Sequence, residues 1–216
     1  MNRRNFRTLL CLAVLSIGLL GAAGVYAQVG KSLGVVDINV AAERDLLAMP
    51  GMTPAIVKGL IEKRPFMSIT EVNAYLLSQG LTAAQAMELY QKAFVHVNLN
   101  TGTREEILLV PAAGTRMARE FDEYRPWRTW AQFDREISKY VGQEATDKLK
   151  QFVFIPLNVN TATDADLMTI PGVTAATVGQ IKQARPVSSK AGFEQSVGRS
   201  AGAKEAARLW RFFVLQ

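Results

Sequence analysis

A set of landmarks that recurs about every 60 residues constrains the fold of this chain more than any other feature. Asn39, Asn100 and Asn160 are separated by 61 and then 60 residues. The same two offsets separate three prolines and three Arg-Pro pairs: Pro50, Pro111 and Pro171; Arg64-Pro65, Arg125-Pro126 and Arg185-Pro186. A fixed period of this length is typical of tandem structural repeats. The predicted units are residues 36–97, 98–157 and 158–216.

Each unit carries local signals for four helices. Thr103 with Glu106, and Thr163 with Asp166, have the capping-box spacing that begins a first helix, which ends at the proline landmark. A second helix ends before the Arg-Pro pair, because proline disfavours the helical conformation in the residue before it. Polar caps then begin a third helix, and a turn glycine separates it from a fourth. The caps are Ser68, Thr129 and Ser189, and the glycines are Gly80, Gly142 and Gly202.

The remaining stretches are interpreted as connectors and core. The alternating stretches HVNLN and IPLNVN, between units, are read as extended connectors without a sheet, and His96 is expected to be a partly exposed connector residue. Large aromatic side chains are expected to pack in the core or between units rather than to stack on bases, because small units bury little area on their own. They are Phe66, Trp127, Trp130, Phe133, Trp210, Phe212 and Phe213. The predicted fold class is all-α.

A tight turn joins the first two helices of each unit. In units 1 and 3 it reads PGMT and PGVT, where Gly51 and Gly172 supply the positive φ angle that the turn needs. Thr53 and Thr174 then cap the second helix through their side-chain oxygens. Unit 2 reads PAAG instead, so that an alanine replaces the first glycine and Gly114 replaces the threonine.

This turn with its flanking helices resembles the helix-hairpin-helix motif, whose usual form is Pro-Gly-hydrophobic-Gly. Paired hairpins opened by LNVNTATDADLMTIPGV and VNLNTGTREEILLVP resemble the competence protein ComEA family of DNA receptors. The resemblance covers residues 36–216 as three tandem copies. It implies an all-α fold of three tandem helix-hairpin-helix (HhH2-like) repeats, and non-specific binding of duplex DNA in DNA uptake during transformation.

The resemblance also implies where DNA would bind. In DNA-binding members, the backbone N–H groups of the hairpin and the N-terminus of its second helix hold phosphates. The corresponding residues here are Gly51, Met52, Thr53, Gly114, Gly172, Val173, Thr174 and Gly202. Thr53 and Thr174 depart from the motif, because a capping threonine occupies an N–H group that would otherwise face a phosphate.

Positive charge is concentrated at the two ends of the sequence. The chain has 25 basic and 19 acidic residues, a net charge of +6. Three arginines lie in the first seven residues, residues 28–157 are neutral overall, and the third unit carries the other +3. Arg116 and Arg119 of unit 2 are followed by three acidic residues that would oppose a phosphate. We therefore expect unit 3 to bind DNA most strongly, through Lys182, Arg185, Lys204 and Arg208.

Residues 1–27 have the features of a secretory signal peptide. A basic start is followed by the apolar residues 9–20, and Val25 and Ala27 suit the −3 and −1 positions of a cleavage site. The apolar run is short for a membrane span, which needs about 20 residues. We expect cleavage, with retention as an N-terminal membrane anchor as the alternative. The mature protein would then be exported to the periplasm or cell envelope, with residues 28–35 as a linker.

The composition argues against an enzyme. The only cysteine, Cys11, lies in the signal segment, and the sequence has no HExxH or P-loop motif. We expect no catalytic residues, no metal site, no cofactor and no small-molecule substrate. Two functions remain: a non-catalytic DNA-binding protein, or an envelope scaffold that uses the same repeats to bind a protein, as a related module does in an extrinsic subunit of photosystem II. The basic third unit favours the first, and the capped hairpins favour the second.

Overall fold

The computed structural model describes residues 35–215, which are mostly helical. The predicted signal segment 1–27 and residues 28–34 of the linker lie outside the described residues. Within residues 35–215, no helix has the length and apolar character needed to cross a membrane. The same order of elements occurs three times: a short strand, two helical hairpins and a second short strand.

The three units differ little in the lengths of their elements. Unit 1 contains β1 (Val36–Asp37), α1 (Glu43–Leu47), α2 (Pro54–Lys63), α3 (Ile69–Ser78), α4 (Ala83–Tyr90) and β2 (Ala93–Phe94). Unit 2 contains β3 (Val97–Asn98), α5 (Arg104–Leu108), α6 (Gly114–Glu123), α7 (Trp130–Leu149) and β4 (Val153–Phe154). Unit 3 contains β5 (Leu157–Asn158), α8 (Asp164–Leu167), α9 (Ala175–Gln183), α10 (Lys190–Ala201), α11 (Ala203–Trp210) and β6 (Phe213–Val214). In α7, Gly142 has a φ of 76° and divides the helix into two halves, at the predicted turn.

The ends of each unit are joined by a parallel pair of two-residue strands. In unit 1, Val36 pairs with Ala93 and Asp37 pairs with Phe94. Strands β3 and β4, and β5 and β6, pair in the same way. The expectation of connectors without any sheet is therefore wrong at these positions. Each strand finds its partner at the other end of its unit, and a pairing so distant in sequence leaves no local signal in a two-residue strand.

The predicted helix caps are confirmed. Thr103 Oγ1 accepts from the N–H of Glu106 at 3.2 Å, and Glu106 Oε2 accepts from the N–H of Thr103 at 2.8 Å. Thr163 and Asp166 form the equivalent capping box in unit 3. The caps of the third helices, Ser68, Thr129 and Ser189, each accept an N–H from the first turn. These bonds satisfy backbone donors that a helix start leaves without partners.

The asparagine landmarks hold each unit together from within. Asn39 Nδ2 donates to the carbonyl of Phe66 at 3.0 Å, and the N–H of Phe66 donates to Asn39 Oδ1 at 2.7 Å. Asn100 with Trp127, and Asn160 with Val187, make the same pair of bonds. Each asparagine thus ties the start of its unit to the segment that follows the Arg-Pro pair.

The arginine landmarks close the same part of each unit. Arg185 donates from Nε to the carbonyl of Val159 at 2.7 Å and from NH2 to the carbonyl of Ala162 at 2.8 Å. Arg125 makes the equivalent bonds in unit 2, and Arg64 donates to the carbonyl of Ala41 in unit 1. A guanidinium group that spans two carbonyls is a structural clamp, because its planar donors match that geometry.

Units 1 and 2 share one hydrophobic core, and unit 3 has a second core that Phe154 of unit 2 joins. Phe94 of unit 1 packs edge-on against Phe152 of unit 2, with ring centroids 5.3 Å apart. Phe154 and Phe212 stack at 4.7 Å where unit 2 meets unit 3. The aromatic residues expected in the core are buried, with Trp210 partly buried. The expectation for His96 is wrong: it is fully buried, with Nδ1 3.2 Å from Asp37 Oδ2.

Candidate nucleic-acid interface

The hairpin turns of units 1 and 3 have the predicted conformation and are capped by threonine. Gly51 and Gly172 have φ angles of 73° and 77°. Thr53 Oγ1 accepts from the N–H of Ile56, and Thr174 Oγ1 accepts from the N–H of Thr177, both at 3.3 Å. In each of these hairpins, one of the first N–H groups of the second helix is therefore already satisfied by a side chain.

The turn of unit 1 is more open than that of unit 3. A Cβ atom placed on Gly172 would lie 2.7 Å from the side chain of Val40, which belongs to unit 1. Gly172 is therefore needed both for its positive φ and for the close approach of the two units. The hairpin of unit 3 consequently faces a neighbouring unit, and a duplex would have to reach it past Val40.

The hairpin of unit 2 has no side-chain cap. Helix α6 begins directly at Gly114, and its N-cap residue Ala113 makes no side-chain bond to the helix. Ala112 has a φ of 65°, in the left-handed region that alanine rarely adopts, and Gly114 has a φ of 63°. The first turn of α6 thus presents backbone N–H groups that no capping side chain satisfies. A helix N-terminus of this kind attracts anions through these N–H groups and through the helix dipole.

Three arginines surround this helix start. Arg104, Arg116 and Arg119, together with Thr115, line a surface groove of about 430 Å³. All four residues are exposed. Arg104 comes from the start of α5, whereas the other three come from the first two turns of α6. The α5–α6 hairpin therefore places three guanidinium groups around one uncapped helix N-terminus.

Internal contacts hold two of these arginines in position. The Arg116 guanidinium lies over the ring of Tyr140, 4.7 Å from its centroid. Arg119 NH2 lies 2.7 Å from Oε1 of Glu120, whose side chain is only 1% exposed. The hydrogen bond from Arg119 lowers the pKa of Glu120, which therefore stays ionised. Tyr140 also bonds to the hydroxyl of Tyr124 at 2.8 Å, which fixes its ring under Arg116.

Two of the three acidic residues of α6 are paired with arginines. Glu120 is buried against Arg119, and Asp122 pairs with the clamp residue Arg125 at 2.8 Å. Glu123 is the one of the three that remains exposed without an ion pair within 4.0 Å among the described residues. Two of the three carboxylates of α6 are thus used in internal contacts, and Arg104 and Arg116 form no ion pair within 4.0 Å among the described residues.

Three of the four basic residues predicted in unit 3 have other partners. Lys182 Nζ lies 2.7 Å from Oδ1 of Asp164, and Arg185 clamps two backbone carbonyls. Arg208 is 2% exposed and bonds Glu205 through two nitrogens at 2.7 and 2.6 Å. Lys204 is exposed near Gly202. Of the four basic residues predicted in unit 3, Arg208 is therefore buried, Arg185 is bonded to backbone carbonyls, Lys182 is paired with an exposed aspartate and Lys204 is exposed.

Replacing Ala112 with glycine is expected to raise the free energy of unfolding by about 1 kcal/mol, because glycine adopts a positive φ without a steric penalty. Urea denaturation followed by circular dichroism would measure the change. Ala113, with a φ of −70°, is the matched control, and its replacement with glycine is expected to lower stability by a similar amount. Equal destabilisation by both substitutions would contradict the left-handed conformation of Ala112.

Comparison with known proteins identifies no relative of this chain. No family model, no curated protein and no solved structure matches the chain. Within the described part of the chain, no group of three or more His, Cys, Asp or Glu side chains could hold a metal ion. The α5–α6 hairpin with its three arginines is the candidate site of this chain.

Proposed function

We propose that the protein binds duplex DNA non-specifically through its phosphates, at the α5–α6 hairpin of unit 2. The observation that carries the proposal is the uncapped N-terminus of α6 with Arg104, Arg116 and Arg119 around it. The repeated hairpins, each with a positive-φ residue in its turn, support a series of three helix-hairpin-helix repeats. We propose no catalytic step for the protein.

Binding would combine two kinds of phosphate contact. The N–H groups in the first turn of α6 would donate to phosphate oxygens and set the position of the backbone. Arg104 and Arg116 form no ion pair within 4.0 Å among the described residues, although each interacts electrostatically with a glutamate, and their charges would displace counterions from DNA. Phosphates are the same at every base pair, and contacts limited to them carry no sequence preference.

The biological setting follows from the sequence. The signal-like segment and the resemblance of the repeat openings to ComEA proteins lead us to propose a protein of the cell envelope or periplasm that acts in DNA uptake. A receptor in this role has to hold DNA of any sequence and release it again. Weak, salt-sensitive phosphate contacts suit that task, since they supply affinity without specificity.

Fluorescence anisotropy with a labelled random duplex would test the proposal. The purified protein is expected to bind with micromolar or weaker affinity, and each phosphate contact is expected to contribute about −0.9 to the log–log slope against salt. Replacing both Arg104 and Arg116 with alanine is expected to weaken binding by about tenfold near 50 mM salt and to flatten the slope by about 1 to 2. Arg119 is left in place because its loss would remove the ion-pair partner of the buried Glu120.

A matched control removes the same amount of charge from the same unit. Arg135 and Lys148 lie on α7 in exposed ion pairs with Glu136 and Glu144, outside the groove. Their double replacement with alanine is expected to leave the affinity within about twofold of the original, since it removes two charges but no contact of the groove. Equal losses in the two double variants would mean that net charge, not the hairpin, governs binding. No binding near 50 mM salt by a folded protein would contradict the proposal.

An envelope scaffold is the second candidate function. The capped hairpins of units 1 and 3 and the approach of Val40 to Gly172 show that two of the three turns are used for internal structure. In a scaffold, the exposed hairpin of unit 2 would contact an acidic protein surface instead of DNA. A folded protein that fails to bind the duplex at any salt concentration would favour this function.

A further inference from the structure

A second basic site lies between the first and the last unit. A cleft of about 510 Å³ separates them, and its lining includes Arg64 and Pro65 from unit 1 and Gly202, Lys204 and Arg208 from unit 3. Its size falls in the range of small-molecule sites, about 300–1,000 Å³. The cleft exists only because the third unit folds back onto the first, and neither unit contains it alone.

Three guanidinium groups lie in or behind this cleft, those of Arg64, Arg208 and Arg211. The carboxylate of Asp37 interacts electrostatically with Arg64, Arg208 and Arg211, and Glu205 binds Arg208 directly. Arg211, which does not line the cleft, also interacts with Glu71 and Glu106, whereas the lining itself holds three cations, Arg64, Lys204 and Arg208, and one carboxylate, Glu205. Burial lowers the pKa of Arg64 and of Arg211, which reflects the cost of holding these cations away from water. A buried cation without a counter-charge is costly, and an anion would offset that cost.

Several donors in this region also lack acceptors. Arg64 Nε, Arg208 NH1 and Arg211 NH1 are buried and have no hydrogen-bond partner among the described residues. Arg208 is 2% exposed, and it lines the cleft while two of its nitrogens are held by Glu205. Buried polar groups in native proteins nearly always have partners, so the unused donors of Arg64 and Arg208, which line the cleft, leave room for an acceptor from solvent or a ligand.

A helix N-terminus opens into the same cleft. Helix α11 has eight residues, and its N-cap residue is Gly202, with a φ of 91° and no side-chain bond to the first turn. Ala203, Lys204 and Glu205 form that first turn and all line the cleft. The helix dipole therefore adds positive potential at the place where Lys204 and Arg208 already supply it. Glu205 is the one acidic residue of the lining, and its carboxylate is taken up by Arg208.

From these observations we infer that the cleft between units 1 and 3 binds a phosphate group, either as free phosphate or on a small phosphorylated molecule. The first turn of α11 and the Lys204 ammonium would contact the oxygens of the anion, and Arg64 and Arg208 would supply the surrounding charge. Binding would also join the first unit to the third, since both contribute to the site. The site is separate from the α5–α6 hairpin and does not depend on DNA binding there.

Isothermal titration calorimetry on the purified protein would test the inference. Inorganic phosphate and adenosine 5′-monophosphate are titrated in separate experiments, with sodium chloride at equal ionic strength as the reference. Saturable binding with one site per chain is expected for at least one of the two. Tighter binding of the nucleotide would identify a phosphorylated molecule as the ligand, and equal affinities would identify the phosphate group alone.

Charge reversal at the rim gives the decisive comparison. Lys204→Glu is expected to weaken binding by about tenfold or more, because it places a carboxylate at the rim of the cleft. Lys190→Glu, at an exposed position of α10 where Lys190 pairs with Glu194, is the control for the change in net charge and is expected to leave the affinity within about twofold. Both substitutions lie on exposed positions, so the fold is kept. Absence of saturable binding of either probe, or equal losses in the two variants, would overturn the inference.

The outcome is independent of the DNA experiment. The Arg104 and Arg116 double variant is expected to bind phosphate as the original protein does, because both residues lie in unit 2. A protein that binds phosphate but no duplex would overturn only the DNA proposal. A protein that binds the duplex but neither phosphate probe would overturn only the cleft.

Discussion

Replacing Asp37 with alanine is expected to lower the free energy of unfolding by about 3–5 kcal/mol, since it removes the carboxylate from a buried group of cations. Asp37 is 4% exposed, its Oδ1 accepts from the N–H of Asn39 at 2.8 Å, and its Oδ2 lies 3.2 Å from His96 Nδ1. Arg211, which donates to the carbonyl of His96 at 2.9 Å, would lose its nearest compensating charge. Urea denaturation would measure the change.

Two further substitutions separate the effect of the Asp37 charge on stability from the effect of its burial. Asp37→Asn keeps an oxygen for the N–H of Asn39 while it removes the charge, and is expected to cost less than alanine but still more than about 1 kcal/mol. Asp45 is an exposed aspartate that pairs with Arg44 at 3.4 Å, and its replacement with alanine is expected to cost less than about 1 kcal/mol. A cost for Asp37→Ala as small as that for Asp45→Ala would show that the buried carboxylate does not stabilise the cluster.

The same group gives the stability a defined dependence on pH. Burial alone would raise the pKa of Asp37, but the hydrogen bond with His96 and the charges of His96, Arg211 and Arg208 outweigh it and lower the pKa below the usual 3.8. A carboxyl group whose pKa is lower in the folded state stabilises the fold above its unfolded pKa. That contribution is lost as the pH falls from about 4 through the lowered value. Denaturation of the original protein and of Asp37→Asn between pH 6 and pH 2 should converge at the acid end.

The features that could be predicted from sequence are those determined by local physics. Capping boxes such as Thr103 with Glu106 involve residues three apart, and a turn glycine such as Gly51 is required by one backbone angle. These signals recur at the repeat period and therefore reinforce one another. The strand pairs were missed because Val36 meets Ala93 only after four intervening helices have folded, and two residues carry no periodicity.

The site residues were harder to predict, because the folded structure determines which acidic and basic side chains neutralise one another. The order of these residues along the chain does not. The sequence places Arg208 on a basic helix, where a surface cation is expected. In the structure, the approach of unit 3 to unit 1 buries this residue, and its guanidinium donates to Glu205. Arg116 appears to be cancelled by the acidic residues of α6, but Glu120 faces inward. The sequence did contain a signal for unit 2. Among the equivalent hairpin residues Thr53, Gly114 and Thr174, only Gly114 has no side chain that could cap the helix.

Replacing Trp127 with alanine is expected to destabilise the protein by about 3–5 kcal/mol, since it removes the largest side chain of the unit 2 core. The side chain is 1% exposed, and its ring lies 5.2 Å from that of Phe133 and 5.9 Å from that of Tyr124. Its Nε1–H donates to the carbonyl of Phe121 at 2.8 Å. Alanine would leave both a large cavity and a buried carbonyl without its donor.

Two tryptophan variants define what the ring and the N–H each contribute. Trp127→Phe retains an aromatic ring but removes the donor, and is expected to cost about half as much as alanine. Trp210 in unit 3 is only partly buried, against Phe193 at 5.3 Å, and Trp210→Ala is expected to cost less than Trp127→Ala. A larger loss at Trp210 than at Trp127 would contradict the packing of unit 2 around the Trp127 ring.

Substitution of Trp127 is also relevant to function, because this side chain contacts the C-terminal end of α6. Its bond to the carbonyl of Phe121 and its contact with Tyr124 fix the C-terminal half of the hairpin, while Tyr124 bonds Tyr140 under Arg116. Trp127→Phe is therefore expected to weaken DNA binding by less than the Arg104 and Arg116 double variant does, and in proportion to its loss of stability. Anisotropy and denaturation on the same samples would test this relation. A stable Trp127→Phe protein that no longer binds DNA would place the duplex contact elsewhere than on the arginines of the α5–α6 hairpin.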